Sequence, residues 1–232
     1  MLKFDDCIID NGGFHLAADL SVYTGRIVAV IGPSGGGKTT LLEGVAGFLP
    51  LTSGEIYWNA NPLSDTEPGK RPVAMLFQDG NLFPHLTAAQ NVGLGIDPRL
   101  RLSTEDKTRI DAALTRVGLE GLGPRKPGAL SGGQRARVAL ARLMVQHREI
   151  FLLDEPFAAL GPALKAEMLD LVAELARETG ATVLMVSHEP DDARRVADEV
   201  ILVTDGKAHP PAATDRLFAD PPEALRAYLG DA

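Results

Sequence analysis

The chain has 232 residues, 45% hydrophobic and 23% charged, the balance of a folded globular protein long enough to bury its own core. A formal net charge of −8 argues against a dedicated nucleic-acid binder, which normally carries a basic patch or stripe. The single cysteine, Cys7, has no partner for an internal disulfide, so a reducing compartment is the natural setting.

In chain order, the opening MLKFDDCIID lacks the cationic start and long apolar run of a signal peptide. Phe14, Leu16, Ala18, Leu20 and Val22 alternate with period two, predicting a half-exposed antiparallel strand with Phe14 packed in the core. Continuous apolar runs at 27–31, 73–77, 150–153, 182–186 and 200–203 suit strands buried on both faces. None approaches the ~20 residues that a membrane-spanning helix requires. A further strand over 55–58 is expected after a turn at Ser53-Gly54. Helices are expected over 38 to about 47, 103–117, 131–146 and 162–178. Pro162 suits a first helical position, where its missing N–H costs nothing, and Ser131 suits an N-cap.

Apolar strands alternating with helical patterns predict an α/β domain with a mostly parallel sheet, preceded by an antiparallel β subdomain. Residues 87 to about 128 are mostly helical in pattern and are expected to open an inserted helical subdomain. The expected partition of this single domain is 1–86 with 149–210 as the core, about 87–148 as the helical insert and 211–232 as a short tail.

The string Gly32-Pro33-Ser34-Gly35-Gly36-Gly37-Lys38-Thr39 satisfies G-x-x-x-x-G-K-S/T, follows a predicted strand and opens a predicted helix. A triphosphate needs several backbone N–H donors pointed inward, and the glycines let the chain fold tightly around it. The helix N-terminus, which includes Thr40, adds its positive dipole end. Lys38 is expected to pair with the β- and γ-phosphates, and Thr39 to place its hydroxyl on Mg²⁺. Far downstream, the apolar run 150–153 ends in Asp154 and Glu155. Successive strand side chains point opposite ways, so the two carboxylates are expected to have different roles. Asp154 is placed to hold Mg²⁺ through water and Glu155 to accept a proton from an attacking water.

Leu130-Ser131-Gly132-Gly133-Gln134-Arg135 resembles the LSGGQ signature of ATP-binding cassette proteins. The spacing from the phosphate loop to this segment, and on to Asp154, is also that of the family, and the resemblance covers essentially the whole chain. It implies a phosphate-loop NTPase of the ABC ATPase fold that binds ATP and Mg²⁺. It also implies a head-to-tail dimer in which Ser131, Gly132, Gly133 and Gln134 of one copy close on the γ-phosphate held by the other. Gln78 matches the Q-loop glutamine, which senses Mg²⁺ and the γ-phosphate and contacts the membrane partner; His188 matches the switch histidine. Two positions depart from the pattern. Gly161 stands where the family usually has an aspartate that couples the two ATP sites, and Asn11-Gly12-Gly13 stands near where an aromatic usually stacks on adenine.

A single cassette with neither an inserted coiled coil nor fused membrane helices resembles the importer branch. That implies a peripheral subunit on the cytoplasmic face of the bacterial inner membrane. Its partners would be an integral membrane permease and, indirectly, a solute-binding protein, with no nucleic acid. Residues 71–102, together with GPALKAEML and LMVSH, resemble the thiamine-import branch, which implies thiamine or its phosphates as cargo. An importer or exporter for another small solute is the alternative, followed by a non-transport ATPase. Residues 79–94 correspond to the groove for a permease coupling helix, which Leu82, Phe83, Pro84 and Leu86 would suit.

Overall fold

The computed structural model describes residues 1–78 and 80–230. Leu2–Asn11 (β1) and Phe14–Val22 (β2) form an antiparallel hairpin whose turn residues, Gly12 and Gly13, have φ of +60° and +99°. Two consecutive left-handed positions match the twist of the flanking strands, and glycine takes them without a Cβ penalty. Ile27–Ile31 (β3), wholly buried, leads through the phosphate loop into Lys38–Ala46 (α1). Leu51–Trp58 (β4) pairs with β1, and Asn61–Pro62 (β5) pairs with β4.

The fourth strand corrects one expectation: Ser53 and Gly54 lie inside it, not at a turn before it. The register of β1 shifts between Asp5 and Ile8, and Gly54 sits opposite that irregularity at φ +76°. A Cβ on Gly54 would lie 2.3 Å from the Asp6 carbonyl oxygen, so the glycine serves a bulge rather than a reversal.

Val73–Leu76 (β6) precedes three helices, Ala88–Gly93 (α2), Thr104–Arg116 (α3) and Gly132–Met144 (α4). Each begins with a reciprocal capping box, Thr87 with Gln90, Ser103 with Asp106 and Ser131 with Gln134. Such boxes satisfy helix N–H groups that have no partner within the helix. Ile150–Asp154 (β7), Pro162–Thr179 (α5), Thr182–Val186 (β8), Pro190–Val196 (α6) and Glu199–Thr204 (β9) follow.

After Lys207–Ala208 (β10), the stretch expected as a short tail from residue 211 packs onto the fold as Ala212–Ala213 (β11), Thr214–Ala219 (α7) and Glu223–Leu229 (α8). The two-residue strands are too short to show any periodicity, but β10 pairs with both β9 and β2.

The strand order is β5-β4-β1-β2-β10-β9-β3-β8-β7-β6, with β11 beside β9. The run β9-β3-β8-β7-β6 is parallel throughout. Alternate side chains of this sheet feed two cores. Val28, Val30, Leu152, Leu184 and Ile201 pack with Leu41, Leu42 and Val45 of α1 and with the inner face of the β1–β2–β4 sheet. Phe151, Leu153, Val183 and Met185 pack with α4 and α5. The first helix is thus sandwiched between two faces of sheet, which is why most of its residues are buried, Lys38 and Thr40 included, and why Gly44 meets Ile9 so closely.

A candidate nucleotide site

The phosphate loop leaves β3 at its C-terminal end, where ligands of open parallel sheets bind. Its glycines are dictated by close approach. A Cβ on Gly36 would lie 3.1 Å from the carbonyl oxygens of Pro33 and Val203, and Gly35 and Gly37 have φ of +76° and +106°. The Lys38 ammonium donates to the carbonyls of Gly32 and Pro33, each at 2.9 Å, so the side chain curls back along the loop. Burial lowers its pKa, opposed by the carboxylates of Glu155 and Asp154.

The Thr39 hydroxyl donates to Asp154 Oδ1 at 3.1 Å, joining the start of α1 to the end of β7. Burial raises the Asp154 carboxyl above its ordinary value, and the Thr39 hydrogen bond opposes the rise. A hydroxyl and a carboxylate side by side are the hard oxygen donors that suit Mg²⁺.

Strand geometry ends at Asp154, and Glu155 turns to φ +47°, so the alternation of a strand, from which different roles were expected for the two carboxylates, does not extend to Glu155. Its amide donates to the Val186 carbonyl, and its Oε1 lies 2.5 Å from His188 Nε2. A non-glycine residue held in the left-handed region costs on the order of 1–3 kcal/mol, and such strain clusters at functional sites.

One cavity is lined by Asn11, Phe14, Lys38, Thr39, Glu155 and His188 among others. The structure therefore brings the phosphate loop, Asp154, Glu155 and His188 together. It places Gln78 and Gly132 elsewhere, in a groove that they share with Gly80, Arg135 and Leu160.

The family profile described as ABC transporter matches residues 17–158. This chain belongs to the ABC transporter family. It is 60% identical to the thiamine import ATP-binding protein ThiQ of a Ruegeria species, over 99% of this chain and 100% of the relative. It is 61% identical to ThiQ of Cereibacter sphaeroides over the same shares. Among solved structures, cbiO1 of Clostridium perfringens, part of the transporter complex cbiONQ, superposes with a TM-score of 0.84 at 29% identity. That match covers 99% of this chain and 94% of cbiO1. The dimeric structure of a post-hydrolysis state of an ATP-binding cassette, bound to ADP and Pi, gives a TM-score of 0.80 at 29% identity. It covers 92% of this chain and 99% of that one. The fold is that of the ABC ATPases, and ATP is the nucleotide the family binds.

In this ABC cassette the signature residues have a local structural task. Ser131 Oγ accepts from the Gln134 amide, and Gln134 Oε1 accepts from the Ser131 amide. Gly133 packs closely on α5, where a Cβ would lie 2.3 Å from Leu164 Cδ2 and oblige that side chain to move. Ser131→Ala is therefore expected to cost about 1 kcal/mol in urea unfolding of the isolated chain, with or without nucleotide.

Phe14 departs from its expected place: it is half-buried, touching the core while its ring lies over Gly37 at the cavity wall. Asn11 Nδ2 donates to Thr40 Oγ1 at 3.4 Å, tying the hairpin turn to α1. One residue that sequence reasoning missed is Asn91. Its buried amide accepts from the Phe83 N–H and donates to the carbonyls of Phe83, Leu86 and Thr87. It pins the loop that leaves Phe83 48% exposed. Across the way, half-exposed Phe48 stacks on Phe77. Within the groove expected for a coupling helix, Asp79 lies outside the described residues.

Proposed function

We propose that this chain is the ATP-hydrolysing subunit of an importer for thiamine or its phosphates. It would work as a head-to-tail dimer beneath a separate integral membrane permease, at the cytoplasmic face of a bacterial inner membrane. The observation that carries the ATPase reading is the convergence of Lys38, Thr39, Glu155 and His188 on one cavity, with Asp154 bonded to Thr39 beside it. The cargo rests on end-to-end identity with two thiamine import ATP-binding proteins. No helix among the described residues is long and apolar enough to cross a membrane, which fits a peripheral subunit.

The loop amides from Gly32 to Thr40 and the Lys38 ammonium bind the triphosphate. Thr39 and Asp154 would hold Mg²⁺, with Gln78 as a further ligand, and the ion would supply neutralisation of charge on the phosphate oxygens. Glu155 accepts the proton of the water attacking the γ-phosphorus, and His188 orients that water from the opposite loop. None of the signature residues Ser131 to Gln134 lines this cavity, so a second copy supplies them, as the dimeric cassette of similar fold encourages. The exposed aromatics Phe48 and Phe83 form the surface offered to the permease.

Uptake of labelled thiamine, measured in cells carrying the native subunit or Glu155→Gln, tests this reading. Uptake should collapse in the variant; uptake that persists would end the proposal. Loss of uptake for a different solute, with thiamine unaffected, would keep the transporter and reassign its cargo.

Gly161 gives a second expected result. It is the N-cap of α5 with φ −66°, makes no side-chain cap and has nothing within 4 Å of where a Cβ would sit. An aspartate fits without strain. Gly161→Asp should raise stability by about a few tenths of a kcal/mol through the new cap. It should also raise ATP turnover in the assembled complex, measured as phosphate release.

A further inference from the structure

His188 sits in the short connection between β8 and α6, and its ring is aimed at Glu155. The surrounding segment is gripped from two sides. From α5, the Lys165 ammonium reaches Asp192 Oδ2 at 2.7 Å and Glu189 Oε1 at 2.9 Å. Asp192 in turn bonds the Ser187 hydroxyl, and Ser187 Oγ accepts from the Glu189 amide at 3.1 Å. Asp192 and Ser187 are buried, so the Lys165–Asp192–Ser187 part of this network is shielded from water and stiffer than a surface ion pair, while Glu189 lies at its exposed edge. From the far side, Tyr228 Oη donates to the His188 carbonyl at 2.7 Å. Tyr228 is carried by α8, which is anchored by fully buried Leu225 against Ile31, Ala193 and Val200.

The two grips differ in what they couple. Lys165 lies in the first turn of α5, where its own amide donates to the Gly161 carbonyl at 2.9 Å. It therefore fastens the loop that runs from Glu155 to Gly161 to the loop that carries His188. Tyr228 fixes the peptide of His188 itself. Neither side chain reaches the cavity over the phosphate loop, so neither is placed to touch nucleotide.

We propose that Lys165 and Tyr228 are positioning residues for ATP hydrolysis, acting through His188. The inference rests on His188 taking part in hydrolysis. Small misplacements of a reacting group cost rate steeply, whereas nucleotide affinity depends on the phosphate loop and is spared.

The test uses the purified full chain with Mg²⁺-ATP, comparing Tyr228→Phe, Lys165→Met and Lys165→Arg, each alone and combined with His188→Ala. Tyr228→Phe and Lys165→Met should each lower kcat by roughly 5–20-fold while KM for ATP stays within about twofold. Lys165→Arg should recover most of the loss, because it keeps the cation between the two carboxylates. In the His188→Ala background, none of the three should reduce kcat further. An equal loss in both backgrounds would show that the residues act independently of His188 and overturn the inference. So would an unchanged kcat in Tyr228→Phe alongside a large loss in His188→Ala; Tyr228→Phe keeps its ring packing and decides the matter even where Lys165→Met folds poorly. An unchanged kcat in His188→Ala itself would remove the histidine role, and this inference with it.

Discussion

Glu155→Gln is expected to lower kcat for ATP hydrolysis by about 10²–10³-fold while nucleotide binding persists, because it removes a general base and little else. Glutamine has the same shape and still meets His188 through its side-chain carbonyl, but it cannot accept a proton at neutral pH. The left-handed backbone at this residue belongs to the peptide, held by the Glu155 amide donating to Val186, so the substitution does not disturb it. Lys38 keeps its bonds to the Gly32 and Pro33 carbonyls and Thr39 its bond to Asp154, and the variant should bind ATP as the native chain does. Phosphate release at saturating ATP, paired with equilibrium binding of labelled nucleotide, separates the two quantities. Turnover at the native rate would show that another group takes the proton.

Gly32→Ala should instead destroy the site by destabilising the loop. Gly32 has φ +149°, and a Cβ there would stand 2.0 Å from the Val203 carbonyl oxygen. Val203 cannot withdraw: its neighbour Leu202 is paired with Ile31 of β3, and Val203 itself is paired with Ala208 of β10. Backbone strain and overpacking together cost on the order of 3 kcal/mol or more. That corresponds to a Tm lower by roughly 6–12 °C for a chain of this size. The amides that face the phosphates shift with the loop, so ATP binding is lost as well. Gly35→Ala is the comparison, since φ there is +76° but nothing lies within 4 Å. It should cost only about 1–2 kcal/mol, the penalty of the left-handed backbone alone. Calorimetry on the two variants, with ATP titrations on whatever folds, checks both values; equal effects would mean that the Val203 contact does not matter.

The parallel strands were legible because strands buried on both faces must be apolar along their length, as β3 is throughout, β7 is up to Asp154 and β8 is after Thr182. The phosphate loop was legible because close backbone approach leaves only glycine as a solution. The conformation of Glu155 was not. Nothing distinguishes a glutamate that continues a strand from one that turns left-handed, since the decision is made by the Val186 carbonyl on a neighbouring strand. Gly54 misled for a related reason: a positive φ in glycine serves a bulge as readily as a turn, and only the register of β1 tells them apart. Ser131 as an N-cap followed from its residue type, but the packing of Gly133 on Leu164 required knowing where α5 lies. Lys165, Asn91 and Tyr228 bind partners on other elements or on loop carbonyls, and no local pattern announces them.

The strand that carries the phosphate loop lies between two strands made much later, for β3 is paired with Thr182–Val186 on one side and Glu199–Thr204 on the other. The N-terminal hairpin joins this arrangement through Lys207 and Ala208, which pair with Ala17 and Ala18. As the chain emerges from the ribosome, the nucleotide motif is therefore exposed well before the two strands that flank it. A nascent chain arrested before β9 has the full glycine loop and Lys38 but lacks the Val203 carbonyl against which Gly32 and Gly36 are seated. The packing around Gly32 and Gly36 is thus completed only once β9 has been made and paired with β3.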